Sequence, residues 1–138
     1  MAVFPKSLRK LPPKRQANLH QNGQVIFQYP YKLFYLLRPA PAGAHSGYKI
    51  IVSVPKRSFK RAVDRNRIKR QMREAFRLNV SVLNQELITC NAQIDLLCLY
   101  LPHEHTPGTI LSHKMESLLA RLVRLVAQTG SAPDVGVN

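Results

Sequence analysis

The chain has 138 residues and carries 21 Lys and Arg against 7 Asp and Glu, a formal net charge of +14. That length suits one domain with a genuine core and excludes two, and the charge attracts polyanions whatever the fold, so nucleic acid is the default partner. No apolar run approaches the roughly 18 to 20 residues of a membrane span, and there is no Trp for an interfacial belt.

The opening MAVFPKSLRKLPPKR is basic but has no apolar segment of signal-peptide length and no small-residue cleavage site, which points to a cytoplasmic protein. Residues 1–13, with Pro5, Pro12 and Pro13, read as a flexible cationic arm. A single domain is expected over residues 14–127. It opens with a short helix from Lys14 to Asn22, ended by Gly23.

The run QVIFQYPYKLFYLLR, Gln24 to Arg38, is rich in aromatic and β-branched residues. Its odd positions Phe27, Tyr29, Tyr31, Leu33, Tyr35 and Leu37 would share one strand face, and Pro30 divides it into two strands or a bulge. APAGAHSG, Ala40 to Gly47, is a loop by composition. Alternation from Tyr48 to Val54 predicts the next strand, stopped by Pro55. A helix then runs from about Lys60 to Asn79, with Ser58 as its N-cap.

QIDLLCLYL, Gln93 to Leu101, is apolar enough for a strand covered on both faces. A long helix separates it from the strand at 48–54, so the two are expected to be parallel neighbours. The closing helix, Ser112 to Ala127, places Met115, Leu118, Leu119, Leu122 and Val126 on one stripe, and 128–138 reads as a disordered tail. Cys90 and Cys98 match no disulfide framework or common zinc spacing, so both are read as thiols, Cys98 in the core. The expected fold is an α+β sandwich of order α-β-β-β-α-β-α around one mixed sheet.

The helix after Pro55 concentrates the charge. Ten cations lie from Lys56 to Arg77, against Asp64 and Glu74. At 100° per residue, Ile68, Met72, Ala75 and Phe76 fall on one side, fit to dock on a sheet. Lys69, Arg73, Asn66, Arg77 and Arg70 occupy the next sector, and Arg65 falls beside the apolar arc. A merely solvated face mixes signs, because like-charged neighbours each cost a few tenths of a kcal/mol. Repulsion on this scale implies an absent polyanion. Arginine predominates, and its planar fork grips two phosphate oxygens. Asn66, a mediocre helix former between Arg65 and Arg67, has an amide that donates and accepts at once, toward a phosphate, a 2′-hydroxyl or a metal-bound water.

The segment SVPKRSFKRAVDRNRIKRQMREAFR, Ser53 to Arg77, resembles the signature of the protein subunit of bacterial ribonuclease P. That family has an Arg-Asn-Arg core in a basic helix after a strand ending in Ser-Val-x-Lys-Lys/Arg. The matching positions are Ser53, Val54, Lys56, Arg57, Ala62, Val63, Arg65, Asn66, Arg67, Ile68, Lys69, Arg70, Arg73, Ala75 and Phe76. Weaker similarity in YPYKLFYLL and HKMESLLARLVRL extends it over roughly residues 14 to 126. The resemblance implies a left-handed βαβ crossover in a fold like the second domain of ribosomal protein S5.

It also implies a protein cofactor, 1:1 with a catalytic RNA that removes the 5′ leader of precursor tRNA using Mg²⁺ bound mainly by the RNA. Lys56, Arg57, Arg61, Arg65, Asn66, Arg67, Lys69, Arg70 and Arg73 would then contact RNA, Asn66 through a metal-bound water. Tyr35 would line a cleft for the single-stranded leader. The family's first helix usually presents apolar residues where this chain has Gln16 and His20. The rival reading is a non-enzymatic RNA-binding protein, ribosomal or a chaperone. His103, His105 and His113 near Glu104 make a weak metal motif, because HxH in a Pro-containing loop lacks the helix of an HExxH site.

Overall fold

The aromatic run after Gly23 folds back on itself at Tyr29-Pro30, so that β1 (Gln24–Gln28) and β2 (Tyr31–Pro39) pair antiparallel, with Ile26 opposite Leu33 and Phe27 opposite Lys32. The structure, a computed structural model, describes residues 11–131. The bulk of the expected arm and tail, 1–10 and 132–138, lies outside them. The hairpin overturns part of the expected face. Tyr31, Leu33, Tyr35 and Leu37 do share one side of β2, but the fold-back puts Phe27 on the other, 60% exposed, while Ile26 enters the core.

β3 (Gly47–Ser53) and β4 (Ala92–Tyr100) pair in parallel, as expected for strands joined through a long helix. The mixed sheet runs β1-β2-β4-β3. α2 (Ala62–Asn79) starts later than Ser58 would dictate. Ser58 and Phe59 instead donate their amides to Pro55 O in a turn, and Arg61 is the N-cap without a side-chain bond. One further helix, α3 (Ser81–Cys90), follows after Val80 and ends on Asn91 in the left-handed conformation. Its buried side chains are Leu83 and Leu87, a stripe too narrow to stand out as an amphipathic period. α4 (Gly108–Ser131) is longer at both ends than the expected helix, so residues 128–131 are helical rather than tail.

α2 and α4 pack on each other and, with α3, cover the face of Ile50, Val52, Ile94, Leu96 and Cys98. Ile68, Met72, Ala75 and Phe76 of α2 are buried there, as are Leu111, Met115, Leu118, Leu119, Leu122 and Val126 of α4. Tyr31 donates its hydroxyl to Leu111 O at 2.8 Å, tying β2 to the start of α4. Cys98 is a buried free thiol, its pKa pushed up by burial.

α1 (Pro13–Asn22) covers the opposite face alone. Leu19 packs with Leu97 and with Leu11, so residues 11–13 belong to the folded unit and not to the arm. Gly23 ends the helix so close to Leu19 that an added Cβ would stand 2.3 Å from its carbonyl oxygen. Asp95, in the middle of β4, is 2% exposed on this side. Arg15 of α1 donates to it through Nε and Nη2 at 3.1 and 2.5 Å, and Arg38 of β2 through Nη1 at 2.9 Å.

Losing a partner from a fully buried pair costs about 3–5 kcal/mol, but both arginine side chains keep about a third of their exposure and regain water. Asp95→Asn is therefore expected to lower stability by about 2 kcal/mol, read as a lower urea midpoint at unchanged m-value. Leu19→Ala should cost about 2–3 kcal/mol in the same assay.

Candidate nucleic-acid interface

The apolar arc of α2 decides where its charges go. With Ile68, Met72, Ala75 and Phe76 facing inward, Asn66, Arg67 and Arg70 are exposed and Lys69 and Arg73 half-buried along the outer side. Lys56, Arg57 and Lys60 project from the turn that joins β3 to α2. The sequence-predicted RNA-binding residues thus share one end of the sheet, where β3 leaves it, and one face of α2.

Acidic relief is local. Asp64 takes the Arg61 fork at 2.9 and 3.3 Å, and Glu74 that of Arg77 at 3.0 and 2.6 Å. Among the described residues, Lys56, Arg57, Lys60, Arg67, Lys69 and Arg70 make no ion pair or side-chain hydrogen bond, and the Asn66 amide makes none. Each of these groups is available to a ligand.

Arg65 has a different task. Its Nη1 donates to the carbonyl oxygens of Phe59 and Lys60 at 2.8 and 2.9 Å, clamping the turn that carries Lys56, Arg57 and Lys60. Its charge still emerges at the helix edge, as its position beside the apolar arc implied. Phe59 is buried against Tyr100 and His105, and His105 Nε2 lies 3.6 Å from Asp64 Oδ1, so the histidine joins the base of this turn. Among the described residues no cluster of three or more His, Cys, Asp and Glu is arranged to hold a metal.

Tyr35 is not where the expected cleft requires it. Alternation along β2 turns it toward the helix-covered core, on the far side of the sheet from α1. Its neighbour Phe34 faces α1 instead, with the His20 ring 5.0 Å away and Lys32 Nζ 5.3 Å from its centroid. Phe27 and Val25 extend this apolar surface along β1. Sequence reasoning leaves Phe34 between cleft and core, with core as the default for an aromatic in a strand, and it is the hairpin, which reverses which positions of the run share a face, that gathers the group.

Arg65→Ala is expected to loosen the turn, costing about 1–2 kcal/mol for two bonds to carbonyls and speeding amide exchange at Ser58 and Phe59. The hydrogen bond from Arg61 holds the Asp64 carboxyl below its usual range, with His105 acting in the same sense. Because the folded value is depressed, the contribution is complete above the unfolded pKa of about 3.9 and lost as pH falls below it. Protection of the α2 amides from exchange, taken relative to the intrinsic rate at each pH, should fall in that acid window, and Asp64→Asn should remove the dependence.

A family model described as Ribonuclease P matches residues 4–123. The ribonuclease P protein component of Porphyromonas gingivalis is 45% identical over 65 residues, 47% of this chain and 46% of that protein. That of Marinobacter nauticus is 36% identical over 91 residues, 66% of each. The chain therefore spans about half to two thirds of the length of these curated relatives in the matched regions. Among solved structures, a Staphylococcus aureus RNase P protein mutant superposes with a TM-score of 0.65 at 17% identity, covering 85% of this chain and 89% of that one. The RNase P protein from Thermotoga maritima gives 0.63 at 18%, covering 82% and 96%. These structural likenesses establish the shared fold, and the family match across the basic helix and its sheet establishes that this chain belongs to the ribonuclease P protein family.

Proposed function

We propose that this chain acts as the protein subunit of ribonuclease P, binding a catalytic RNA 1:1 and assisting removal of the 5′ leader from precursor tRNA in the cytoplasm. The observation that carries the reading is the set of cations without counterions, Lys56, Arg57, Lys60, Arg67, Lys69 and Arg70, on a helix whose other side is committed to the core and on the turn that leads into it.

In this reading the exposed cations Lys56, Arg57, Arg67 and Arg70, with the half-buried Lys69 and with Arg61 and Arg73 beside them, neutralise phosphates of the RNA subunit. Arg65 holds the turn that presents three of the lysines and arginines. Asn66, unengaged between Arg65 and Arg67, bridges a phosphate or a metal-bound water. Mg²⁺ belongs to the RNA, where it supplies the hydrolytic chemistry. The carboxylates nearest this surface, Asp64 and Glu74, are both taken by arginines and present no pair to a metal.

The leader is assigned to the surface beside α1, with Phe34 in place of Tyr35 as the stacking residue and Lys32 and His20 at its rim. Stacking on one aromatic side chain is worth about 1–3 kcal/mol per base. Phe34 is half-buried beneath His20, so the imidazole must swing aside or itself stack on the base. Gln16 is spoken for, donating to Leu11 O at 2.7 Å.

The test is reconstitution. The purified chain, added to the catalytic RNA and precursor tRNA at low Mg²⁺, should stimulate cleavage to mature 5′ ends; intact RNA binding without stimulation would leave a ribosomal or chaperone role instead. Arg67→Ala should weaken RNA-subunit binding without lowering the unfolding midpoint, and reduce the slope of log K against log salt by about 0.7–0.9. Phe34→Ala should lower affinity for precursor tRNA by about tenfold, with little effect on affinity for tRNA that has no leader.

A further inference from the structure

The cationic face of α2 borders a second kind of surface. At about 100° per residue, Gln71 and Leu78 occupy the strip between Arg67 and Arg70 on one side and Ala75, at the edge of the buried arc, on the other. The start of α4 runs along this strip. Between the two helices lies a cleft of about 290 Å³, walled by Arg70, Gln71, Ala75, Leu78, Gly108 and Ser112. Asn79 holds the helices together at its end, donating through Nδ2 to Ala75 O at 2.8 Å and to Ser112 O at 3.4 Å. The phosphate contacts assigned above stop at the rim of this cleft, on Arg70.

The lining mixes apolar walls with polar groups that have nothing to bond. Leu78 is 57% exposed, a large side chain left in water beside the core arc of its own helix. Gly108 leaves the opposite wall open, since a Cβ there would meet nothing within 4 Å. Glu74 also borders the cleft, but its carboxylate is taken by Arg77. The Arg70 guanidinium, the Gln71 amide and the Ser112 hydroxyl make no side-chain hydrogen bond or ion pair among the described residues. An apolar side chain entering the cleft would strand the half-buried amide and hydroxyl, at a cost for each. A flat ring with a polar edge satisfies both.

We propose that the cleft receives an unpaired adenine base of the RNA subunit bound along α2, an inference that rests on the reading of that helix as RNA-facing. The cleft is continuous with the cations, so a nucleotide whose phosphate sits on Arg67 or Arg70 can turn its base inward. Leu78 and Ala75 take one face of the ring, and the Arg70 guanidinium stacks on the other. The Gln71 amide donates and accepts at once, the pairing that reads N7 and N6 of adenine, and the Ser112 hydroxyl can do either. Uracil, smaller by one ring, covers less of Leu78. The volume is at the small end of ligand pockets and suits one base rather than a stacked pair.

The experiment titrates the ¹⁵N-labelled full chain with oligoadenylate, oligouridylate and an abasic oligomer of the same length, following the side-chain amide of Gln71. Oligoadenylate should give a saturable shift, with affinity about tenfold above that of either other oligomer. Gln71→Ala should lower that preference. Gly108→Leu puts a side chain into the open wall, and because Leu is the better helix former the thermal midpoint should not fall. This variant should bind the catalytic RNA about tenfold more weakly, with the slope of log K against log salt unchanged because no phosphate contact is lost. A silent Gln71 amide, equal responses to the three oligomers, or wild-type RNA affinity in Gly108→Leu overturns the proposal. If the salt slope of Arg67→Ala still drops beside such a result, the RNA-facing reading of α2 stands and this inference fails alone; if the slope does not drop, both fail.

Discussion

Burial of the apolar side of α2 is the constraint on which everything else rests. Ile68, Met72, Ala75 and Phe76 are almost completely removed from water, which for the three large side chains is worth about 1.5–3 kcal/mol each before entropic costs. Like-charged neighbours three and four positions apart on the outer side oppose this by a few tenths of a kcal/mol per pair, on the order of 1–2 kcal/mol in all. The anchor wins, so the helix survives without its polyanion. Because the anchor also fixes rotation about the helix axis, it determines which cations face outward together.

The sheet divides the labour between its faces. One carries the large core under α2, α3 and α4, and its requirements are generic: apolar side chains at alternating positions, closed by Tyr31 reaching Leu111 O. The other is covered by a single ten-residue helix, too little to seal it. Its coverage is completed by polar means, through Arg15 and Arg38 on Asp95. A charge cluster in the middle of a sheet is a costly substitute for Leu or Val, and it leaves donors and an open cavity beside α1 where packing would have left neither.

Much of this was legible in the chain. The period of α2, the stripe of α4 and the apolar run of β4 each carry a strong pattern, and their buried residues are the ones that pattern predicts. The expected partner also followed from local features, since net charge, arginine excess and an Arg-Asn-Arg core are properties of neighbouring residues. α3 was not legible, because Leu83 and Leu87 supply two contacts in ten residues and acquire meaning when α4 is packed beside them. The turn-holding task of Arg65 and the side of the sheet that Tyr35 takes were hidden for a related reason. A guanidinium that turns back to Phe59 and Lys60 carbonyls is indistinguishable, in a list of basic residues, from one that points to solvent.

What the sequence by itself determined were the quantities that depend on short separations along the chain: periodicity, the sites of Gly and Pro interruption, and the sign and density of charge. Only the tertiary structure decided which side of the sheet each residue of the aromatic run faces, because the fold-back at Tyr29-Pro30 transfers Phe27 to the side opposite Tyr31 and Tyr35. It alone joined Arg15, Arg38 and Asp95, which lie as far as 80 positions apart. Local pattern is set by backbone geometry, which repeats every two or 3.6 residues. Contacts of that range exist only after the chain has closed on itself, and no period in the sequence encodes them.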